Sequence, residues 1–176
     1  MGFFDKSDYE GKDERRLDEL FDQACRQGAV LAVFHFDAHS RDAESVKSTL
    51  VDFVGRMSKE SGLVYCKGEI DSRVLEKDGL FSTTAEVTVL GESLRTLLDL
   101  SLKYGPVAIE ILKPNEVRLT MEEVQNLLVD ASLIAQEYAS YILQHALKGQ
   151  ELEDYKKRLE RRAELGKELL EKSGKK

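Results

Sequence analysis

Read for its hydrophobic and polar positions alone, the chain alternates between helical and strand periodicities. Leu17, Leu20, Phe21, Ala24 and Cys25 recur at helical spacing up to Gly28, predicting a first, peripheral helix after a polar, mobile start over residues 1–11. "AVLAVFHF" is short and rich in β-branched and aromatic residues, so residues 29–38 read as a strand. Asp42 can cap a helix in which Val46, Leu50, Phe53, Val54 and Met57 form one stripe, ended by Ser61-Gly62. "LVYCKGEID" and "LFSTTAEVTVL", joined through "EKDG", predict a long antiparallel hairpin turning at Asp78-Gly79. A helix carrying Leu94, Leu97, Leu98 and Leu102 stops at Gly105-Pro106, and "VAIEIL" makes a fourth strand.

The resulting order is β-α-β-β-α-β over residues 29–112, which predicts an α+β fold: a ferredoxin-like βαββαβ sandwich with a four-stranded antiparallel sheet and two helices on one face. One helix is added before this core and two after it. "EVRL" is a candidate short strand leading to Thr120, which with Glu123 forms a capping box. In the helix that follows, residues 120–147, Val124, Leu127, Leu128, Ala131, Ile134, Ala135, Tyr138 and Ile142 share one wide arc, more apolar surface than water tolerates. His145 falls in the same arc and reads as a packed or capped core histidine. Residues 148–176 form a charged helix and frayed tail, with Leu152, Tyr155, Leu159 and Leu169 as a heptad seam. Three parts are therefore expected: residues 1–11, a single domain over 12–147, and the charged segment 148–176.

Alternation along the first strand sorts its side chains. Val30, Ala32, Phe34 and Phe36 share the face expected under the helices, joined by Val64, Cys66 and Ile70 and by Val87 and Val89. Leu31, Val33, His35 and Asp37 share the other face with Tyr65, Lys67, Glu69 and Asp71 and with Thr84, Glu86 and Thr88. That second face is polar and acidic except at Leu31 and Val33, which call for a cover. The long helix after Thr120, or the same face of a second subunit, is expected to supply it.

Composition narrows the function classes. Lys and Arg number 26 against 33 Asp and Glu, a net charge of -7, and hydrophobic residues make up 41% of 176 residues, the balance of a folded, water-facing domain. Acidity argues against nucleic acid as the partner, and the polar sheet face lacks the aromatic and basic residues of an RNA-binding sheet. Neither a signal sequence nor a membrane span is visible, so a cytoplasmic location is expected. Cys25 and Cys66 belong to no CxxC pair and read as buried reduced thiols.

Two of the three histidines stand in "FHFDAHSRD", around an aspartate. Imidazole and carboxylate are ligands for zinc or manganese, which makes His35, Asp37 and His39 the candidate metal set and a divalent metal the one candidate cofactor. Positions four apart on a strand are roughly 13 Å apart, so His35 and His39 share one ion only if the strand bends. For a small ligand the candidate residues are His35, Asp37, Tyr65, Glu69 and Glu86, on the polar face. No nucleophile elbow, Walker loop or GxGxxG is present, and no catalytic residue is assigned.

At the level of element order, Ala29 to Leu112 resembles ferredoxin-like domains, including the ACT-type regulatory modules, a resemblance that implies small-ligand binding between subunits. The tracts "FDAHSRDAESVKSTLVDFVGRMSKE" and "YGPVAIEILKPNEVRLT" look like an uncharacterised archaeal protein family. The leading expectation is a non-enzymatic binding or regulatory module that self-associates, a dimer first, and takes a small ligand or protein partner. The alternatives are a metal-dependent enzyme or metal-binding protein centred on His35, Asp37 and His39, and an adaptor docking through the C-terminal helix.

Overall fold

The computed structural model describes Tyr9, Gly11 and residues 13–173, with backbone alone for residues 162, 163 and 166–173. Contacts divide the chain into two units, one up to Ala131 and one from Ser132. In the first unit the elements run α1 (Glu14–Arg26), β1 (Val30–Ser40), α2 (Ala43–Met57), β2 (Leu63–Ile70), β3 (Leu75–Lys77), β4 (Leu80–Gly91), α3 (Leu94–Tyr104) and β5 (Ala108–Lys113). α4 (Met121–Ala146) begins in it and continues into the second unit, where α5 (Gln150–Ser173) follows.

Local chemistry sets the helix ends. Asp13, Asp42 and Ser93 accept hydrogen bonds from the backbone N–H groups of Arg16, Ser45 and Thr96, satisfying donors that a first turn leaves unpaired. The capping box forms before α4: the Thr120 hydroxyl accepts from the Glu123 N–H at 3.2 Å, and the Glu123 carboxylate accepts from the Thr120 N–H at 2.7 Å. Gly105 ends α3 in the left-handed conformation, φ 58°, where a side chain would strain the backbone.

The sheet is antiparallel throughout, in the order β2-β4-β1-β5, with β3 also paired to β4. It has five strands where four are expected, because the segment after Ile70 leaves the ladder. The Asp71 carboxylate accepts from the Arg73 N–H, and the Thr83 hydroxyl donates to the Asp71 and Arg73 carbonyls, an Asx-type turn that splits one strand into β2 and β3. β3 then enters β4 through Asp78 and Gly79, both at positive φ, which is the turn expected from "EKDG". "EVRL" forms no strand.

α2 and α3 cover one face. Phe34, Val87, Val89, Leu50, Met57 and Leu97 sit in the main core, each 4% exposed or less. Burying a side chain of this size stabilises by about 1.5–3 kcal/mol, so this layer dominates the fold. Cys66 and Ile70 join it as expected, but Val64 does not. A register shift between Leu63 and Tyr65 turns Leu63 to this face and sends Val64 to the other, since one extra residue reverses the alternation.

The opposite face carries a second core of Tyr9, Phe21, Ala24, Ala29, Leu31, Val64 and Leu90. The expected cover for Leu31 was the long helix or a second subunit; α1 supplies it instead, pinned by Lys113, whose ammonium lies 2.6 Å from Asp18 and 2.7 Å from Asp22. The start of the chain contributes as well, with Tyr9 stacked on Phe21 and only 6% exposed, whereas residues 1–8 lie outside those described.

In the first unit, Asp130 of α4 lies 2.8 Å from the Arg95 guanidinium of α3. In the second, α4 runs to Ala146, and Gly149, at φ 56°, separates it from α5. No residue of α4 is buried, and His145 is exposed, its Nδ1 2.8 Å from the Tyr141 carbonyl and its ring beside Tyr141, in place of the packed or capped core position expected: the carbonyl contact forms, but at the surface. Among the described residues no helix is long and apolar enough to cross a membrane.

Candidate functional site

α1 covers only one end of its sheet face, and beyond it the face stays open and polar. β1 is longer than expected, running to Ser40, so His35, Asp37 and His39 all stand on one regular strand and on one face. Register then places their neighbours: His35 stands opposite Glu86 on β4, Glu86 opposite Glu69 on β2, and Asp37 opposite Thr84. A row of His35, Glu86 and Glu69 therefore crosses three strands.

The contacts within this row are pairwise. His35 Nδ1 is 3.9 Å from Glu86 Oε1, too long for a hydrogen bond, while His39 Nε2 is 2.9 Å from Asp37 Oδ2. Glu69 holds Lys67 at 2.7 Å, and that hydrogen bond keeps the Glu69 carboxyl below its ordinary range and lifts the Lys67 ammonium above its own. Thus His35, Asp37 and His39 are not gathered around one point. Among the described residues, no three His, Cys, Asp or Glu side chains converge for a metal ion.

Tyr65 is separated from the other candidate ligand residues. Its ring packs edge-on to Phe21 at 5.1 Å and tilted to Tyr9 at 6.2 Å, and burial raises its phenol pKa. It lines instead a cleft of about 560 Å³ between the start of α1 and the start of β2, with Tyr9, Glu14, Leu17, Ser58 and Lys67. This volume lies in the range of small-molecule sites. The cleft escapes a reading of the sequence because Tyr9 lies in a stretch that reads as mobile and α1 reads as peripheral. The usable signal is Leu31 and Val33, apolar on a polar face, with an amphipathic helix immediately before them.

Cys25 and Cys66 are both partly exposed rather than buried, and burial nonetheless raises the Cys25 thiol pKa, which keeps it protonated and unreactive at neutral pH.

A five-stranded antiparallel sheet layered between a helix pair and a third helix, with two long helices appended, defines an α+β protein with one open polar face. Residues 31–164 match the MJ0538 family, so most of the chain belongs to that family, from β1 into α5. The family's name states no activity. No curated protein and no solved structure matches the chain.

Proposed function

We propose that this protein is a non-enzymatic binding or regulatory module that associates with a second copy of itself, its βαββαβ core being ferredoxin-like and of the ACT type. The observation that carries the reading is α4. It is 26 residues long with no buried residue, and Leu128, Tyr138, Tyr141 and Ile142 are 67%, 50%, 64% and 62% exposed. Exposed apolar side chains spread over about 21 Å of helix, from Leu128 to Ile142, are more than a monomer ordinarily leaves in water. The open row of His35, Glu86 and Glu69 and the cleft beside Tyr65 are the places where such a module would take a small ligand.

Native mass spectrometry on protein purified without chelator or affinity-tag metal tests this reading, since one spectrum gives subunit number and bound mass. A dimer is the expected result. A monomer at every concentration up to about 100 μM, far above the Kd of a specific interface, would overturn it.

The 2.9 Å contact between His39 and Asp37 favours a second reading, a divalent metal held at the end of β1. It supplies two ligands, and the remaining positions would fall to water or substrate.

A further inference from the structure

The apolar arc of α4 has a complement elsewhere in the same chain. Val124, Ala131 and Tyr138 fall seven residues apart, as do Leu127, Ile134 and Tyr141, which makes them the a and d positions of one heptad frame. Carried across the turn at Gly149, the same frame puts Leu152 and Leu159 at a and Tyr155 at d in α5. All three are half-buried on α5, whose other described side chains are exposed. Both helices therefore present a narrow apolar seam in one phase, and the second unit contains both.

Charge distinguishes the two seams. α4 carries Glu122, Glu123, Asp130 and Glu137 and no Lys or Arg, whereas the middle of α5 carries Lys156, Lys157, Arg158 and Arg161. Two α4 helices facing each other would bring like charge together. α5 is balanced over its whole length, but its middle, residues 156–162, holds five Lys or Arg against Glu160, so α4 against that stretch brings opposite charge together. An antiparallel register sets Ile134 against Leu159, Tyr138 against Tyr155 and Tyr141 against Leu152. In that register Glu137 and Arg158, both at g, flank the seam as neighbours, and both are exposed.

A chain could use this register on itself, as an αα-hairpin closed at Leu147–Gly149. The structure leaves that hairpin open: Tyr141 and Ile142 stay 64% and 62% exposed. We propose that the arc of α4 is covered by α5 of a second copy, and reciprocally, in an antiparallel helix exchange between two chains. This rests on the self-association reading and names its interface. The exchange is isologous, so each chain gives α5 and receives one.

Two full-length variants test it, Glu137→Arg and Arg158→Glu, each at an exposed helical position where folding should survive, which circular dichroism checks. In a dimer of either variant both interfaces hold like charges, so sedimentation should show dimerisation weakened about tenfold or more. In a mixture of the two variants, the arginine introduced into one chain meets the glutamate introduced into the other, and native Glu137 meets native Arg158 at the second interface. The mixture should therefore regain wild-type affinity as a heterodimer. A wild-type dimer that neither variant weakens, or weakened variants that mixing fails to rescue, overturns the exchange while self-association stands. The second of those results is what an intramolecular hairpin gives. A monomeric wild type overturns both.

Discussion

His39 reaches back two residues along β1 to Asp37, Nε2 to Oδ2 at 2.9 Å, while His35, two residues further back on the same face, faces Glu86 across the sheet at 3.9 Å. The two imidazoles thus have separate acidic neighbours. Any zinc or manganese taken up at this end of the sheet should depend on Asp37 and His39 and be indifferent to His35. Calorimetric titration of the wild type, His35→Ala and His39→Gln checks this, and equal loss in both variants would place both imidazoles on one ion. Because the His39–Asp37 pair is exposed, His39→Gln should change stability by no more than about 0.5 kcal/mol.

Gly68 and Val54 give a sharper test of the helix-covered face. A Cβ placed on Gly68 would stand 2.8 Å from the Val54 Cγ1 atom of α2, closer than carbon atoms approach. Gly68→Ala should therefore push α2 off β2 and cost about 1–3 kcal/mol in urea unfolding. In a Val54→Ala background the same change should cost little, since the colliding methyl is gone. A penalty that persists there would point to the backbone of Gly68 instead.

Much of this face is legible from the sequence, and the reasons are local. The α2 stripe of Val46, Leu50 and Met57 is buried because 3.6-residue periodicity reports a packed helix side directly. Thr120 with Glu123, and Asp78 with Gly79, are short-range signals whose geometry involves a few neighbouring residues, and both form. What stays hidden depends on one residue or on distant partners. The register shift after Leu63 adds one position to β2, and strict alternation cannot reveal it, so alternation puts Val64 on the wrong face. The break after Ile70 is held by Thr83, ten or more residues away, and Tyr9 is buried only by folding back onto Phe21 and Tyr65. In the candidate site, the face of His35, Asp37, Glu69 and Glu86 follows from alternation alone, but their pairings require the cross-strand register.

The Tyr9–Phe21–Tyr65 group makes α1 part of the fold rather than an appendage. Phe21 is 9% exposed and meets both other rings, so Phe21→Ala should cost about 3–4 kcal/mol, at the low end of Phe truncations or slightly above. The loss should be visible as a lower Tm together with faster amide exchange in α1 than in α2. Uniform exchange across both helices would instead mean that α1 unfolds only with the whole domain.

Glu60 and Tyr104 set the last expectation, through pH. The Glu60 carboxylate accepts from the Lys103 ammonium and from the Tyr104 hydroxyl, both at 2.6 Å, and these bonds hold its pKa below the ordinary 4.5. Tyr104 moves the other way: burial first, then its bond to the carboxylate, pushes its phenol up to about 12. A carboxyl depressed in the folded state contributes stability above pH 4.5 that is lost as pH falls through the lower folded value. Removing the hydroxyl takes away one donor to the charged form. Tyr104→Phe should therefore destabilise by about 1 kcal/mol at pH 7, allowing for the partial exposure of the pair, and by less at about pH 3, where more of the carboxyl is protonated. Ultraviolet titration of the folded protein should also lose one tyrosine that ionises far above the ordinary range of about 10. Equal destabilisation at both pH values would show that the Tyr104 hydroxyl contributes independently of the charge on Glu60, since phenylalanine keeps the ring packed against Phe53, 5.2 Å away.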